Sequence, residues 1–439
     1  MSMKIKEPVS GSGSRKGMLI AVCSVVYFIS YLSRKNFAVV MAAMISGQVI
    51  DKLVGGFIGM GMFVFYGIGQ IVSGYLGDKI KPRSIMATGI ALAMITNILM
   101  PLMAGVSQWL LIPVWSVNGF AQALLWPPIV KLLADNLDSE TYVSANLIVT
   151  SAAHVATVLL YLLVPVCLQF FSWQTVFYIA SAGAFLALPV LIIGLNIAIP
   201  KSAVRPQPCI ALPEKQGEAQ HGSEESFLSV FRRSGLLTIL ISIILMGYLR
   251  DGIESWLPTL YSEVFGKDPS ESILVSVVVP IGSILAITLI RIAHKTPVFE
   301  NETRATAILF LSATALCIPL YFVMGSESIV LRVLCLALVM IICALMHAIN
   351  FMLISCVPGY FAKCGRASTA GGVCNACTYV GAAVSMYGIA GISEKFGWDV
   401  TVITWIVIAA MGVVFSLLSY RKFTSFKKKV LSDEGIIPQ

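Results

Sequence analysis

Residues 27–37 read Tyr27-Phe28-Ile29-Ser30-Tyr31-Leu32-Ser33-Arg34-Lys35-Asn36-Phe37. They lie inside an apolar run that starts near Met18 and continues to about Met44. A run of that length predicts a membrane-spanning helix. Arg34 falls near its middle, where a guanidinium costs at least ~2.5–3.5 kcal/mol on insertion scales. A chain carries that cost only when the charge faces protein or a watery cavity. Far downstream, Gly247-Tyr248-Leu249-Arg250-Asp251-Gly252 places a second arginine inside another apolar run. The expectation is that both arginines converge on one anion.

The rest of the chain has the same character. Of its 439 residues 57% are hydrophobic and 12% charged, whereas soluble domains run at about 25% charged. The apolar content is spread along the whole length, which excludes a soluble core with a single anchor. No alternating ten-residue segments suggest a barrel. At about 20 residues per span, the length accommodates roughly twelve helices.

The net charge is +8, but the basic residues cluster in loops between spans. That pattern points to topology signals and anionic-lipid contacts, with no nucleic-acid partner. The ten cysteines fall mostly in apolar runs and are read as small hydrophobes. Cys374 and Cys377 form a C-x-x-C with no second ligand pair, so neither a metal nor another cofactor is expected. The first apolar run is too long for a cleaved signal peptide.

In chain order, residues 1–17 read as a polar, flexible tail. Six spans follow within 18–199. Residues 200–234, rich in Pro, Glu, Gln, Ser and Gly, read as a mobile cytoplasmic linker. Six more spans occupy 235–420, and 421–439 form a basic tail. Lysines and arginines gather on the side of both termini and the linker, which assigns that side to the cytoplasm and requires an even number of spans. The expected fold is an all-α membrane protein of twelve transmembrane helices in two pseudo-symmetric six-helix bundles. Arg34 and Arg250 each lie in the first span of their half. An axis along the membrane normal would set them opposite each other.

Several motifs resemble the major facilitator superfamily, and within it the organophosphate:phosphate antiporter family of glycerol-3-phosphate and hexose-phosphate transporters. The superfamily-level motif is Gly74-x-x-x-Asp78-Lys79. The family-level motifs are Tyr31-x-x-Arg34-Lys35-Asn36-Phe37 and Tyr248-x-Arg250-x-Gly252-Ile253, followed by Trp256-x-Pro258-Thr259, with His154 in span five. The resemblance implies that the two arginines bind a substrate phosphate, assisted by nearby tyrosines and the histidine. This chain departs from the family at several points. Members commonly carry a lysine in span two after Tyr-Gly, where Tyr66-Gly67-Ile68-Gly69 leads here to Gln70. Ser255 stands where an acid usually precedes the Trp, Glu254 is one residue earlier, and Asp251 adjoins the arginine. Lys81 stands where glycine is usual. The missing lysine and the added acids lower the local positive charge.

Each candidate has a plainer alternative. Arg34 could pair with an acid and join two helices; its planar fork also fits a phosphate or carboxylate. Glu254, at i+4, could pair with Arg250 along one helix face. Lys35 and Asp251 point about 100° away from the arginines, so they are candidates for an ion pair between halves instead of full members of the cavity. Tyr27 and Tyr31 share a face with Arg34, and with Tyr66 could line the cavity. His154 could be a packing hydrogen bonder or a proton-linked group, and His347 near Asn350 a structural one. Asn118, Gln122, Asn146, Asn375 and Tyr379 read as interhelical glue. Asp78, Lys79 and Arg83 are expected to latch the cytoplasmic end during the cycle.

The expected function is secondary transport of a small organic anion by rocker-switch alternating access. No nucleotide-binding G-x-x-x-x-G-K-[ST] occurs, so gradients must supply the energy. The resemblance implies a phosphorylated metabolite exchanged for inorganic phosphate, by a monomer in a bacterial cytoplasmic membrane. One alternative is proton-coupled transport of a carboxylate or other organic anion, with Asp251, Glu254 and His154 carrying the proton. Another is a sugar-phosphate sensor of the same fold that moves little solute. No nucleophile–base pair or metal cluster suggests an enzyme.

Overall fold

Inside lipid every backbone donor and acceptor needs an internal partner, so an apolar chain of this kind crosses as helices. A computed structural model describes residues 12–77, 79–199, 227–293, 296–297, 299–364 and 367–432. Asp78, most of the expected linker and the outermost tail residues lie outside the described residues. Helices α1 (Ser12–Ser46), α2 (Lys52–Gly77) and α3 (Pro82–Ala104) each cross once. α4 (Leu111–Ala123) and α5 (Trp126–Asn136) form one broken crossing, interrupted where Pro127 and Pro128 begin α5. α6 (Ser139–Phe170) and α7 (Trp173–Ala198) complete the first six.

After the short α8 (Phe227–Arg233) come α9 (Leu236–Phe265), α10 (Pro269–Val275) with α11 (Val278–Ala293), α12 (Glu302–Val323) and α13 (Ile329–Asn350). The last helix, α14 (Ala367–Ser432), is 66 residues long, far more than one bilayer needs. It turns at Gly397 (φ 82°, ψ 174°), a backbone region open to glycine because no Cβ clashes there. α14 therefore supplies two crossings, which makes twelve among the described residues, and no strand occurs among them. Its helix runs past Arg421 to Ser432, further than the last expected span.

Neighbours pair in the same way in each half. Within the first half α1 packs on α6 and α7, and α3 on α7; within the second, α14 packs on α9 and α12. Across the seam α2 meets α14, α6 meets α10 and α11, and α1 meets α9. Apolar side chains such as Ile71, Phe185, Phe322 and Leu418 remain exposed on the outside, where acyl chains would cover them. An even number of crossings brings both ends of the described chain to one face, termed here the terminal face. The opposite one is the far face.

Candidate functional site

A cavity of about 480 Å³ lies between the two halves. It reaches the terminal face, because Tyr142 and Val143 line it within the first turns of α6. The start of that helix is capped by Asp138, which also accepts from Lys16 Nζ at 2.5 Å near the start of α1. The far face is shut by a clasp across the seam. Lys52 Nζ of α2 binds Glu263 Oε2 of α9 at 2.6 Å, and Trp398 Nε1 of α14 donates to the same oxygen at 2.8 Å. Lys52 Nζ also lies 4.5 Å from the Trp398 ring centroid. Beneath it α2 and α14 touch closely: a methyl group on Gly56 would come within 2.8 Å of Ala390 Cβ and 2.9 Å of the Met386 carbonyl oxygen.

Arg34 is aimed into the cavity by a buried polar network behind it. The Ser33 carbonyl accepts from Asn97 Nδ2 (3.1 Å) and Asn118 Nδ2 (2.8 Å), and Asn36 Nδ2 donates to Asn97 Oδ1 (2.7 Å). Gln122 accepts from Ser30 Oγ (2.6 Å) and donates to Ser33 Oγ (3.0 Å). With α1 pinned along that side, its opposite face meets the seam. Arg34 is only 7% exposed, yet no carboxylate pairs with it among the described residues, and its Nε has no hydrogen-bond partner. Aromatic rings surround it instead. Its guanidinium carbon lies 4.1 Å from the Tyr66 ring centroid, 5.4 Å from that of Tyr31 and 5.9 Å from that of Tyr379. Ring quadrupoles offset part of the desolvation cost without neutralising the charge.

The other cavity charges are paired. Lys35 Nζ meets Glu254 Oε2 at 3.1 Å, an ion pair between α1 and α9. Arg250 gives one terminal nitrogen to Asp251 Oδ2 (2.6 Å) and the other to Asn350 Oδ1 (2.7 Å). Two expectations are corrected here. Arg250 pairs with Asp251 and not with Glu254, because Lys35 reaches over the seam and takes the latter. Lys35 and Asp251 also line the cavity with the arginines; the void is broad enough to meet two neighbouring positions on each helix.

These features place a charged cavity between two six-helix halves. A Major Facilitator Superfamily model matches residues 23–386. The chain belongs to the Major Facilitator Superfamily. It is 23% identical over 407 residues to the glycerol-3-phosphate transporter of Bacillus subtilis (strain 168), covering 89% of each protein. Over 107 residues it is 36% identical to a probable hexose phosphate transport protein of Chlamydia muridarum (strain MoPn / Nigg). That stretch is 24% of this chain and spans 23% of that relative. Among solved structures, a bacterial homologue of the human lysosomal transporter Spinster, inward-facing and unoccupied, matches with a TM-score of 0.72. It is 15% identical and the match covers 95% of this chain and 99% of that one, so it speaks for the fold alone. The chain is thus a multi-pass membrane transporter with bacterial relatives, in keeping with a cytoplasmic membrane. The two relatives named above are transport proteins and not enzymes.

For a facilitator-superfamily carrier, the placement of the remaining candidates matters. His154 lines the cavity, and its Nδ1 donates to the Thr150 carbonyl at 2.8 Å. His347, from the other half, faces it with ring centroids 6.4 Å apart, and its Nε2 is buried without a partner. Tyr31 lines the cavity. Tyr66 lies behind Arg34 as its closest ring. Tyr27 is buried between Tyr31 and Trp126, with ring centroids 5.1 and 4.8 Å away. Gln70 does not line the cavity, and its Nε2 is buried without a partner. Lys79 donates to the Tyr75 hydroxyl, and Arg83 donates to Asn196 Oδ1 at 2.5 Å, tying α3 to α7. Both are remote from the cavity, and Asp78 lies outside the described residues.

Three features were missed in the sequence. Tyr379 was read as a packing residue and Asn350 was given no role, although Tyr379 completes the ring cage and Asn350 holds Arg250. A tyrosine one helix turn after Asn375 was the available signal. The clasp had none: Lys52, Glu263 and Trp398 are far apart in sequence, each ordinary at a span end. Past Asn350, residues Phe351–Cys356 wind more loosely, as a π-helical turn, where Phe351, Ile354 and Ser355 meet the cavity.

Proposed function

We propose that this transporter carries a phosphorylated metabolite of the sugar phosphate or glycerol phosphate type in exchange for inorganic phosphate. The observation behind this reading is Arg34: a buried, ring-caged guanidinium without a carboxylate partner among the described residues, in a cavity whose other cations are paired. A planar fork with free donors fits a tetrahedral oxyanion. Arg250 and its partners face the same void from the other half, so a solute held by Arg34 that also touches that half draws the two bundles together. The names of the two relatives support the solute class.

In this reading the terminal face is cytoplasmic, by the distribution of basic loops. The described conformation is then open inward, with the Lys52–Glu263–Trp398 clasp closing the outside. Anion binding stabilises a closed intermediate, after which the clasp opens. A monomer of two bundles, 18–199 and 235–420, joined by the linker, suffices for the cycle.

Counterflow in proteoliposomes tests the proposal. Vesicles loaded with phosphate should accumulate labelled hexose phosphate or glycerol 3-phosphate, and Arg34→Lys should abolish the exchange, because charge survives while the planar fork is lost. Full exchange by that variant would remove Arg34 from the site. A second reading, proton-coupled transport of an organic anion, draws on Asp251, Glu254 and His154 lining the same cavity. Uptake driven by a pH gradient with no phosphate on the far side would favour it.

A further inference from the structure

The cavity holds more acid than a site for a dianion needs. Arg34, Lys35 and Arg250 face Asp251 and Glu254, three cations against two carboxylates. The surplus among these five side chains is one positive charge. A phosphate monoester carries about −1.5 to −2 at neutral pH. A plain sugar phosphate would thus leave excess negative charge once the bundles close around it and water no longer screens the site.

The two acids are also arranged to receive something. Asp251 and Glu254 are three residues apart on α9, hence neighbours on one helix face. Each spends one oxygen on its own cation: Asp251 Oδ2 on Arg250 and Glu254 Oε2 on Lys35. Asp251 Oδ1 and Glu254 Oε1 have no hydrogen-bond partner among the described residues. Arg250, for its part, already has both terminal nitrogens engaged by Asp251 and Asn350. A phosphoryl group settling there would abut the Asp251 carboxylate. Arg34 has no such neighbour, is 7% exposed, and keeps an unpartnered Nε. The anion end and the acid end of the cavity are therefore distinct.

We infer that the preferred solute is a zwitterionic organic phosphate, its phosphoryl group on Arg34 and an ammonium group against the open oxygens of Asp251 and Glu254. An ammonium has three donors and can serve both carboxylates at once. The solute's net charge then matches the surplus of the cavity. This inference rests on the phosphate reading above and narrows it to an amino-bearing class.

Matched pairs test it on the full-length purified protein in detergent, by calorimetric binding. The probes are glucosamine 6-phosphate against glucose 6-phosphate, and 2-aminoethyl phosphate against 2-hydroxyethyl phosphate. The amino member should bind at least about tenfold tighter in each pair, the scale of one charge-assisted hydrogen bond. Asp251→Asn, or Glu254→Gln should the first variant fold poorly, should erase most of that preference while an Arg34-dependent affinity for phosphate esters persists. Equal binding, or tighter binding of the hydroxyl member, overturns the inference and leaves the phosphate reading intact. A preference that survives both substitutions overturns the assigned position of the ammonium. Failure of all four probes to bind overturns the phosphate reading, and the inference with it.

Discussion

Lys35 of α1 and Glu254 of α9 form an ion pair of 3.1 Å that ties the two halves together inside the cavity. Both side chains are mostly buried, at 14% and 10% exposure, so a charge left without its partner is only partly compensated by water in the cavity. The Tyr161 hydroxyl donates to the Glu254 carbonyl at 3.3 Å, adding a second tie from α6. Removing one partner of a buried pair costs on the order of 3 kcal/mol, whereas removing both is often close to neutral. Lys35→Ala and Glu254→Ala should each lower the unfolding temperature in detergent, and the double variant should unfold above either single one. A double variant no more stable than Lys35→Ala would mean that the pair is not coupled as drawn.

The ring of Tyr66, 4.1 Å from the Arg34 guanidinium, holds that charge in place without neutralising it. Tyr66→Phe keeps the π face and should keep anion affinity. Tyr66→Leu removes it, a loss of order 1–2 kcal/mol for a desolvated cation–π contact. The guanidinium would then turn toward the Asp251 and Glu254 carboxylates, and binding of labelled phosphate should weaken about tenfold. Equal affinity in the Phe and Leu variants would leave the cage without a role in binding.

At the terminal face Asp138 accepts from Lys16 Nζ at 2.5 Å and from the Thr141 backbone N–H at 3.1 Å. The Lys16 ammonium first, then Thr141, holds its carboxyl well below the usual carboxylate range. A folded-state value below the unfolded one means the stabilisation is present above about pH 3.9 and fades as pH falls further. Asp138→Asn keeps a capping side chain but not the charge. Its deficit in unfolding temperature should be visible at pH 7, shrink as pH drops below about 4, and shrink in high salt because the pair is exposed. A deficit that stays constant with pH would point to the cap alone.

How much of this was legible follows from what each feature depends on. Span length and loop charge are local, so the crossings and the two-half layout could be read directly. The break between α4 and α5 was not, because one long apolar stretch looks alike whether or not it bends. Arg34 stood out because an intramembrane charge needs a reason, and its cavity position required only the face shared with Tyr31. The partners of the charges were not legible. Helical spacing offered Glu254 to Arg250, but the pairing is decided by which helix lies across the seam, and that is set by the packing of α1 on α9. Gln70 illustrates the converse: a position matched by motif alignment need not face the solute, and in this chain it does not line the cavity.

The clasp at the far face makes the most direct claim about motion. Lys52, Glu263 and Trp398 join α2 to α9 and α14, so opening that face must break a 2.6 Å ion pair and the 2.8 Å indole bond together. Glu263 is 37% exposed, which leaves the pair partly screened and weak enough to open during turnover. Glu263→Gln should therefore favour the conformation open at the far face without unfolding the protein. Gly56 offers an independent route to the same state. Its missing Cβ lets α2 approach Met386 and Ala390, and Gly56→Val would wedge the helices apart only where they touch in the closed form. Cysteines placed singly along α2 and α14 report the outcome through alkylation by an impermeant reagent added from each side of the vesicle. Both substitutions should raise labelling from the far face and lower it from the terminal face. Unchanged labelling in both would mean that the seal depends on other contacts, and that the two faces are not coupled through this end of α2.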